Sequence, residues 1–416
     1  MKILMISSSA PFGKGESFVI SEVSAIARAG HHVILLPTII RKGMPNDFEL
    51  SEGVELLSKK LLSISVIISF LKFLISHPFT FLKIIIWVRD KNIKNTLKNF
   101  LIIPKALWLA NRLRIDPVEH IHAHWLTTPS TLAMVVSWLT GIAWSMSAHR
   151  GDIVMNNLLN EKFEEAEFIR FISENGVALA RERAEFSNDK VRVLHLGVTV
   201  PEFVDRDSSR KNTSTKKLKI LCPANLIPVK GHSFLFKSLS IMKHWENVVV
   251  VIAGDGELKK SLTHDIERLG LAAQVTFEGH VPHSKLLNWY REGLVDLVVL
   301  PSQDLGGGIH EGIPVSLMEA MAFGVPVVST NTGGIPELLL GKDGEAFGGL
   351  VDSTDPAGLA HVLDEFVGSE DLRREMAQAG YWRVFEEFNQ DKTVDRLVEL
   401  MINTDKAMHK EDLASD

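Results

Sequence analysis

The stretch KILMISSSAPFGKGESFVISEVSAIARAGHHVILLPT, residues 2–38, decides the fold class. It opens with the strand-like KILMISS and runs through the loop SAPFGKGES. FVISEVSAIARAG then places apolar residues at helical spacing, with Gly30 as a stop. HHVILLPT reads as the next strand. Strand, helix and strand in this order are a βαβ opening, which calls for a parallel sheet. Working outward, EHIHAHW, GIAWSMSAH, the end of FEEAEFIRFIS, and DKVRVLHLGV add further strands.

The polar run 205–217, DRDSSRKNTSTKK, has no periodicity and reads as a linker. After it the pattern restarts. LKILCPANL, NVVVVIAGDGE, QVTFEGH and VDLVVLPS are strands, separated by the helical HSFLFKSLSIMK, KKSLTHDIERLG and HSKLLNWYREG. This is a second doubly wound domain. A chain of 416 residues is too long for one typical core, so two domains also follow from length. The expected division is 1–204 for a first domain, 205–217 for the linker and 218–385 for a second domain. A helix over 386–404 and a tail over 405–416 follow. Two such domains facing across a cleft would bind ligand at the carboxyl ends of their strands.

Composition excludes several classes. The hydrophobic fraction of 45% and charged fraction of 23% are those of a globular protein. A net charge of −6 gives no argument for nucleic acid. The single cysteine, Cys222, excludes an intrachain disulfide framework and a cysteine-rich zinc site, and fits a reducing compartment. The first apolar run is too short for a signal-peptide core and reads as a buried strand. One segment stands apart, opening at Lys59 and closing at Arg114. It holds eleven Lys or Arg against one acid, Asp90, and is strongly apolar in LLSISVIISFLKFLIS and FTFLKIIIWV. Basic residues interleaved with apolar helical stripes point to an anionic membrane surface. Lys72 and Pro78 interrupt the run and argue against spanning.

The chemistry should lie in loops after strands. HEGIPVSLMEA, residues 310–320, follows the strand VDLVVLPS and the glycine-rich DLGGGI. Pro314 suits the first turn of a helix and Gly324 its end. Free amides at such a helix start favour an anion such as a diphosphate. Glu311 and Glu319 sit eight residues apart, which on a helix leaves them ~80° apart. That spacing argues against a hydrolase-type pair and suits two carboxylates holding different parts of one ligand, since a carboxylate accepts hydrogen bonds from vicinal hydroxyls.

HEGIPVSLMEAMAFGVPVVSTNTGGIPELL resembles the E-x7-E signature of retaining family-4 glycosyltransferases with the GT-B fold. It is most similar to the bacterial exopolysaccharide branch, of colanic-acid and amylovoran type. The resemblance implies that Glu311 contacts the donor sugar near the reacting carbon and that Glu319 holds the nucleotide ribose. It implies donor contacts from Gly312, Ile313, Pro314, Val315, Ser316 and Leu317. ANLIPVKGH resembles the family motif G-R-L-x-x-x-K-G and sets Lys230 on the lysine that meets the donor diphosphate. A lysine there would neutralise the leaving group without a metal. Asn225 replaces the family's arginine with an amide that donates hydrogen bonds but has no charge.

The resemblance extends further. AGDGE places Gly254, and VTFEGHVPH places Gly279 and Val281, near the nucleotide base. APFGKGESF resembles the family's SETF loop, where Gly13 and Gly15 allow close approach to the donor. SMSAHRGDI is similar to T-A-H-x-x-D-I and makes His149 the first-domain active-site residue. His122, His124, His149 and Asp152 could together ligate a metal. The resemblance supplies a nonmetal reading, and no metal or cofactor is expected beyond a nucleotide diphosphate sugar as co-substrate. It also implies that the terminal helix crosses back to the first domain.

The implied activity is retaining transfer of a hexose to a lipid-linked saccharide acceptor in exopolysaccharide biosynthesis. The implied place is the cytoplasm, peripheral on the inner face of the membrane. A GT-B nucleotide-sugar epimerase, or a nucleotide-sugar-binding regulatory subunit, is the alternative.

Overall fold

A computed structural model of the chain describes residues 1–12, 16–41, 50–204 and 217–412, with side chains described through residue 403. Gly13, Gly15, nearly all of the expected linker and residues 413–416 of the tail lie outside the described residues.

The first sheet comprises β1 (Lys2–Ser7), β2 (His32–Pro37), β3 (Val54–Leu56), β4 (His120–His124), β5 (Trp144–Ala148), β6 (Phe168–Phe171) and β7 (Val191–Val193). Its order is β3-β2-β1-β4-β5-β6-β7, and every pairing is parallel. The second comprises β8 (Leu218–Cys222), β9 (Val248–Ala253), β10 (Val275–Gly279), β11 (Leu297–Leu300), β12 (Val327–Thr330) and β13 (Gly349–Val351). Its order is β10-β9-β8-β11-β12-β13, again wholly parallel. In each sheet the strand order reverses beside the first strand, at β1/β4 and at β8/β11. Such a reversal opens a crevice at the carboxyl ends of the two strands.

The helices of the first half are α1 (Ser17–Arg28), α2 (Ile64–Ser76), α3 (Pro78–Trp87), α4 (Ile93–Ile115), α5 (Thr128–Thr140), α6 (Arg150–Met155), α7 (Leu159–Glu165) and α8 (Glu174–Arg181). Those of the second half are α9 (His232–Leu239), α10 (Lys259–Arg268), α11 (His283–Arg291), α12 (Val315–Ala322), α13 (Ile335–Leu339), α14 (Pro356–Gly368) and α15 (Glu370–Glu387). The last helix is α16 (Gln390–Asp412).

The two-residue period of a strand explains the layering of the first unit. Ile3, Met5, Val33 and Leu35 pack against α1 and against Val394, Leu397, Val398 and Met401 of α16. Leu4, Ile6, Ile34 and Leu36 pack on the opposite side against α4 and α5. Both faces of the sheet are covered, as a parallel sheet requires.

By contacts the chain parts into two compact units, Met1–Gly197 with Gln390–Asp416, and Val198–Asn389. The first unit therefore ends at Gly197, not at residue 204, and the helix that rejoins it begins at Gln390, not at 386. A Cβ on Gly197 would overlap Gln390 and Thr393, so the chain leaves and re-enters this unit at one place. Gln390 Nε2 donates to Ser21 Oγ at 2.7 Å and fixes α16 to α1.

One member of the basic segment needs correction. Lys105 is not at the surface. It is buried, and its ammonium donates to the carbonyl oxygens of Pro37, Thr38 and Lys59. Burial pulls its pKa down to about 7.

Candidate active site

The β8/β11 reversal sets two loops side by side. The loop after β8 carries Asn225 and Lys230, and the loop after β11 carries Glu311. Backbone contacts lock them together. Gln303 N–H donates to the Val229 carbonyl at 2.8 Å. Gly231 has φ +68°, and a Cβ there would overlap the Pro301 carbonyl. On the other flank Gly333, at φ +60°, lies so close to the Glu311 carbonyl that no side chain fits. His310 Nδ1 reaches the same carbonyl at 2.8 Å.

This scaffold brings Lys230 Nζ to 2.7 Å from Glu311 Oε1, with side chains 18% and 16% exposed. The sequence assigned these two residues to neighbouring parts of one ligand, and the structure joins them. A cation and a carboxylate, partly screened from water at the sheet edge, can take up opposite charges as a polar bond breaks. Asn225 stands exposed on the same loop as Lys230.

Glu311 is on the loop and Glu319 is inside α12. Pro314 occupies the N-cap position, and Ile313, Pro314 and Leu317 are buried. Their side chains anchor the helix start. Gly312, Val315 and Ser316 are half-buried. The Leu317 amide bends back to the Pro314 carbonyl at 3.1 Å. Helix geometry leaves the amides of Val315 and Ser316 for an anion.

Glu319 Oε1 lies 2.6 Å from His283 Nε2, a partner that sequence reasoning missed. The hydrogen bond that His283 donates to Glu319 raises the His283 pKa. Gly279, at φ +69° with open space around it, and half-buried Val281 lie just before His283. Gly279 and Val281, two of the residues expected near the nucleotide base, thus sit close in sequence to the His283 that pairs with Glu319.

Gly254, expected near the nucleotide base, has a packing role that it shares with Gly256. A Cβ on Gly254 would overlap the Ala224 carbonyl, and one on Gly256 would meet the Leu226 carbonyl at 2.6 Å. Their smallness serves the packing of the β9 loop on the β8 loop. Gly254→Ala should therefore cost about 1–3 kcal/mol through overpacking. Thermal unfolding of the full chain measures this, and an unchanged midpoint would refute the packing account.

At the first sheet, His120, His122 and His124 all face the α1 side, as H-x-H-x-H on a strand must. Ser145 Oγ lies 2.7 Å from both His120 Nε2 and His122 Nδ1, and Ser147 Oγ lies 2.8 Å from His122 Nε2. His124 Nε2 donates to Glu22 Oε1 at 2.9 Å, and His124 Nδ1 lies 3.3 Å from His149 Nε2. Arg170 Nη1 donates to Glu22 Oε2 at 2.6 Å, and Arg170 also donates to the Leu194 and His195 carbonyls. The structure thus brings His149 to the end of a buried line, Arg170–Glu22–His124–His149.

Burial drives the His120 pKa down to about 3 and holds His122 and His149 well below the usual range, so all three are neutral. Burial alone would raise the Glu22 pKa, but Arg170 and His124 outweigh it and the net direction is down. Trp125 lies against the His149 ring at 4.3 Å between centroids and donates from Nε1 to Glu16 Oε1 at 2.7 Å.

Asp152 does not join the histidines as a ligand. Its Oδ2 accepts the Leu126 N–H at 2.6 Å, and Lys162 donates to the Leu126 and Thr127 carbonyls. Asp152 and Lys162 pin the loop after β4. Among the described residues no group of three or more His, Cys, Asp or Glu is arranged to hold a metal ion. Glu22, Arg170 and Glu16 escaped sequence reasoning, although two carried a signal. Glu22 sits in the apolar stripe of α1, and Arg170 interrupts the apolar FIRF of β6.

Two doubly wound parallel sheets in separate units, each reversing beside its first strand, define the α/β fold called GT-B. The chain superposes on the Anabaena protein Alr3699/HepE, solved with UDP-glucose, with a TM-score of 0.67 and 17% identity over 97% of this chain and 100% of that one. More particularly, residues 204–383, within the second unit, match the family described as glycosyl transferases group 1. The chain is 30% identical over 214 residues to the amylovoran biosynthesis glycosyltransferase AmsK of Erwinia amylovora, covering 51% of each. It is 34% identical over 181 residues to the putative colanic acid biosynthesis glycosyltransferase WcaL of Escherichia coli K12, covering 43% of this chain and 42% of that one. The chain thus spans about half the length of these curated relatives.

Proposed function

We propose that this protein is a retaining hexosyltransferase that uses a nucleotide diphosphate sugar. Its acceptor is a lipid-linked saccharide in exopolysaccharide or cell-surface polysaccharide synthesis. The observation that carries the reading is the Lys230–Glu311 pair at the β8/β11 reversal. The matched group 1 domain and the polysaccharide roles in the relatives' names support it.

In this reading Lys230 and the amides at Val315 and Ser316 take the donor diphosphate. Insertion of the diphosphate draws Lys230 from Glu311 and leaves that carboxylate to face the sugar. The bond from the anomeric carbon to the phosphate oxygen breaks, and a bond to the acceptor oxygen forms on the same face. The acceptor proton leaves with the departing phosphate oxygen. Lys230 stabilises the charge that grows there, a contribution made chiefly in the transition state. Glu311 stabilises positive character at the sugar carbon, and Glu319 with His283 holds the ribose. His149 in the first unit is the proposed contact of the donor sugar. The reading needs no metal or cofactor. It places the enzyme in the cytoplasm, with the segment 59–114 on the anionic inner face of the membrane.

The test is incubation of the full chain with a panel of nucleotide sugars and a lipid-linked acceptor fraction. Sugar transfer that disappears in Glu311→Ala is the expected result. Tight donor binding with no turnover on any acceptor would replace this reading with a nucleotide-sugar-binding subunit.

A further inference from the structure

The helices α2, α3 and α4 each bury one face and expose large apolar residues on another. In α2, Val66 and Phe73 enter the core, while Ile64, Ile68, Leu71 and Ile75 face solvent at spacings of four, three and four. In α3, Ile84 is buried, while Phe79, Leu82 and Ile86 are exposed. In α4, Ile102, Ile103 and Ala106 are buried, while Ile93, Leu97 and Leu101 are exposed. A surface helix ordinarily turns polar residues outward, and one apolar on all sides sits inside a core or a bilayer. The exposed stripes run along three consecutive helices, far more than scattered surface residues.

Neither helix of the pair α2–α3 is long enough to span alone. α2 has 13 residues and α3 has 10, and the pair bends by 111° at the break between them. At about 1.5 Å per residue α2 is ~20 Å long, against ~30 Å of hydrocarbon. No single described helix is long and apolar enough to cross a membrane. A leaflet ~15 Å deep holds a helix ~10–12 Å across that lies in its plane.

The bend itself is suited to hydrocarbon. Ile75 and Phe79 flank it, each 82% exposed. Ser76 and His77 between them make local hydrogen bonds, which lowers the cost of contact with lipid. Ser76 Oγ donates to the Lys72 carbonyl at 2.8 Å and lies 2.7 Å from His77 Nδ1. The His77 amide donates to the Phe73 carbonyl at 2.8 Å, and the His77 ring stacks on Phe73.

Charge selects the kind of surface. Lys60, Lys72, Lys83, Lys94 and Lys98 are exposed among the stripes. The segment's one acid, Asp90, is spent inward, accepting from the Asn92 and Leu158 amides at 2.6 and 3.0 Å. Lysines on long stems reach the headgroup level from a helix lying in the interface, where they meet anionic lipid.

We infer that the bent pair α2–α3, with the exposed stripe of α4, inserts into the hydrocarbon of a single leaflet of an anionic bilayer. This deepens the membrane part of the proposed function and rests on it. Its test uses neither donor nor turnover, so failure here is distinct from failure of the transfer reaction.

The test is depth measurement on the full chain. The native thiol, Cys222, is buried, so Phe79→Cys supplies one accessible site for an environment-sensitive fluorophore. The labelled protein is mixed with vesicles of equal parts phosphatidylglycerol and phosphatidylcholine, with bromine on the acyl chains. The expected result is quenching by the acyl-chain bromines that persists in high salt. The double variant Ile75→Asp, Phe79→Asp should keep its circular dichroism and bind the vesicles about tenfold or more weakly. Binding that high salt abolishes, without quenching, would overturn insertion and leave only surface adsorption. Absence of vesicle binding, with concentration-dependent dimerisation, would assign the face to a second copy of this chain and overturn the inference.

Discussion

Glu22→Ala should destabilise the first unit by about 3–5 kcal/mol, because it leaves a buried guanidinium without its counter-charge. Arg170 is fully buried and donates to Glu22 at 2.6 Å, while His124 donates to the other oxygen at 2.9 Å. The loss should appear as a fall of roughly 6–20 °C in the unfolding midpoint of that unit. A fall worth less than about 1 kcal/mol would mean that water or rearrangement replaces the carboxylate. The pH dependence has a definite sign. The folded Glu22 pKa is depressed from its usual 4.5, so its stabilisation is complete above that value and fades as pH falls below it. The gap between wild type and Glu22→Ala should therefore narrow in acid and stay constant from pH ~5 upward.

Lys230→Ala should lower kcat by about 10²–10³-fold, the usual cost of removing one donor aimed at developing negative charge. Because the proposed contact strengthens as the diphosphate departs, kcat and kcat/KM should fall together. A rise in KM at constant kcat would show that Lys230 only binds the donor. The same substitution frees Glu311 from its partner at 2.7 Å, so Lys230→Ala with Glu311→Ala should be far from additive.

The parallel sheets were legible because apolar runs of four to six residues alternate with helical periods from Lys2 onward. The candidate β8/β11 site could be named from sequence because its glycines, Lys230 and Glu311 lie in short linear motifs. Other features depend on partners distant in sequence. Glu22 and Arg170 are 148 residues apart, and His283 and Glu319 are 36 apart, so spacing within a motif does not reveal either pair. The purpose of Gly254 was hidden for a related reason. What it makes room for is the Ala224 carbonyl on a neighbouring strand's loop, and a glycine after a strand looks the same whether a ligand or another backbone approaches it. Lys105 looked like a surface cation because composition cannot tell a solvated ammonium from one bonded to three carbonyls.

The return of α16 to the first unit also sets an order of events during synthesis. Residues 198–389 must all be made before Gln390–Asp412 leaves the ribosome. At typical elongation rates that interval is roughly 10–40 s. Throughout it Val19, Val23 and Ile26 of α1 lack the cover of Val394, Leu397 and Met401. The nascent first unit therefore carries an oily seam while the second unit folds, and the final helix seals it.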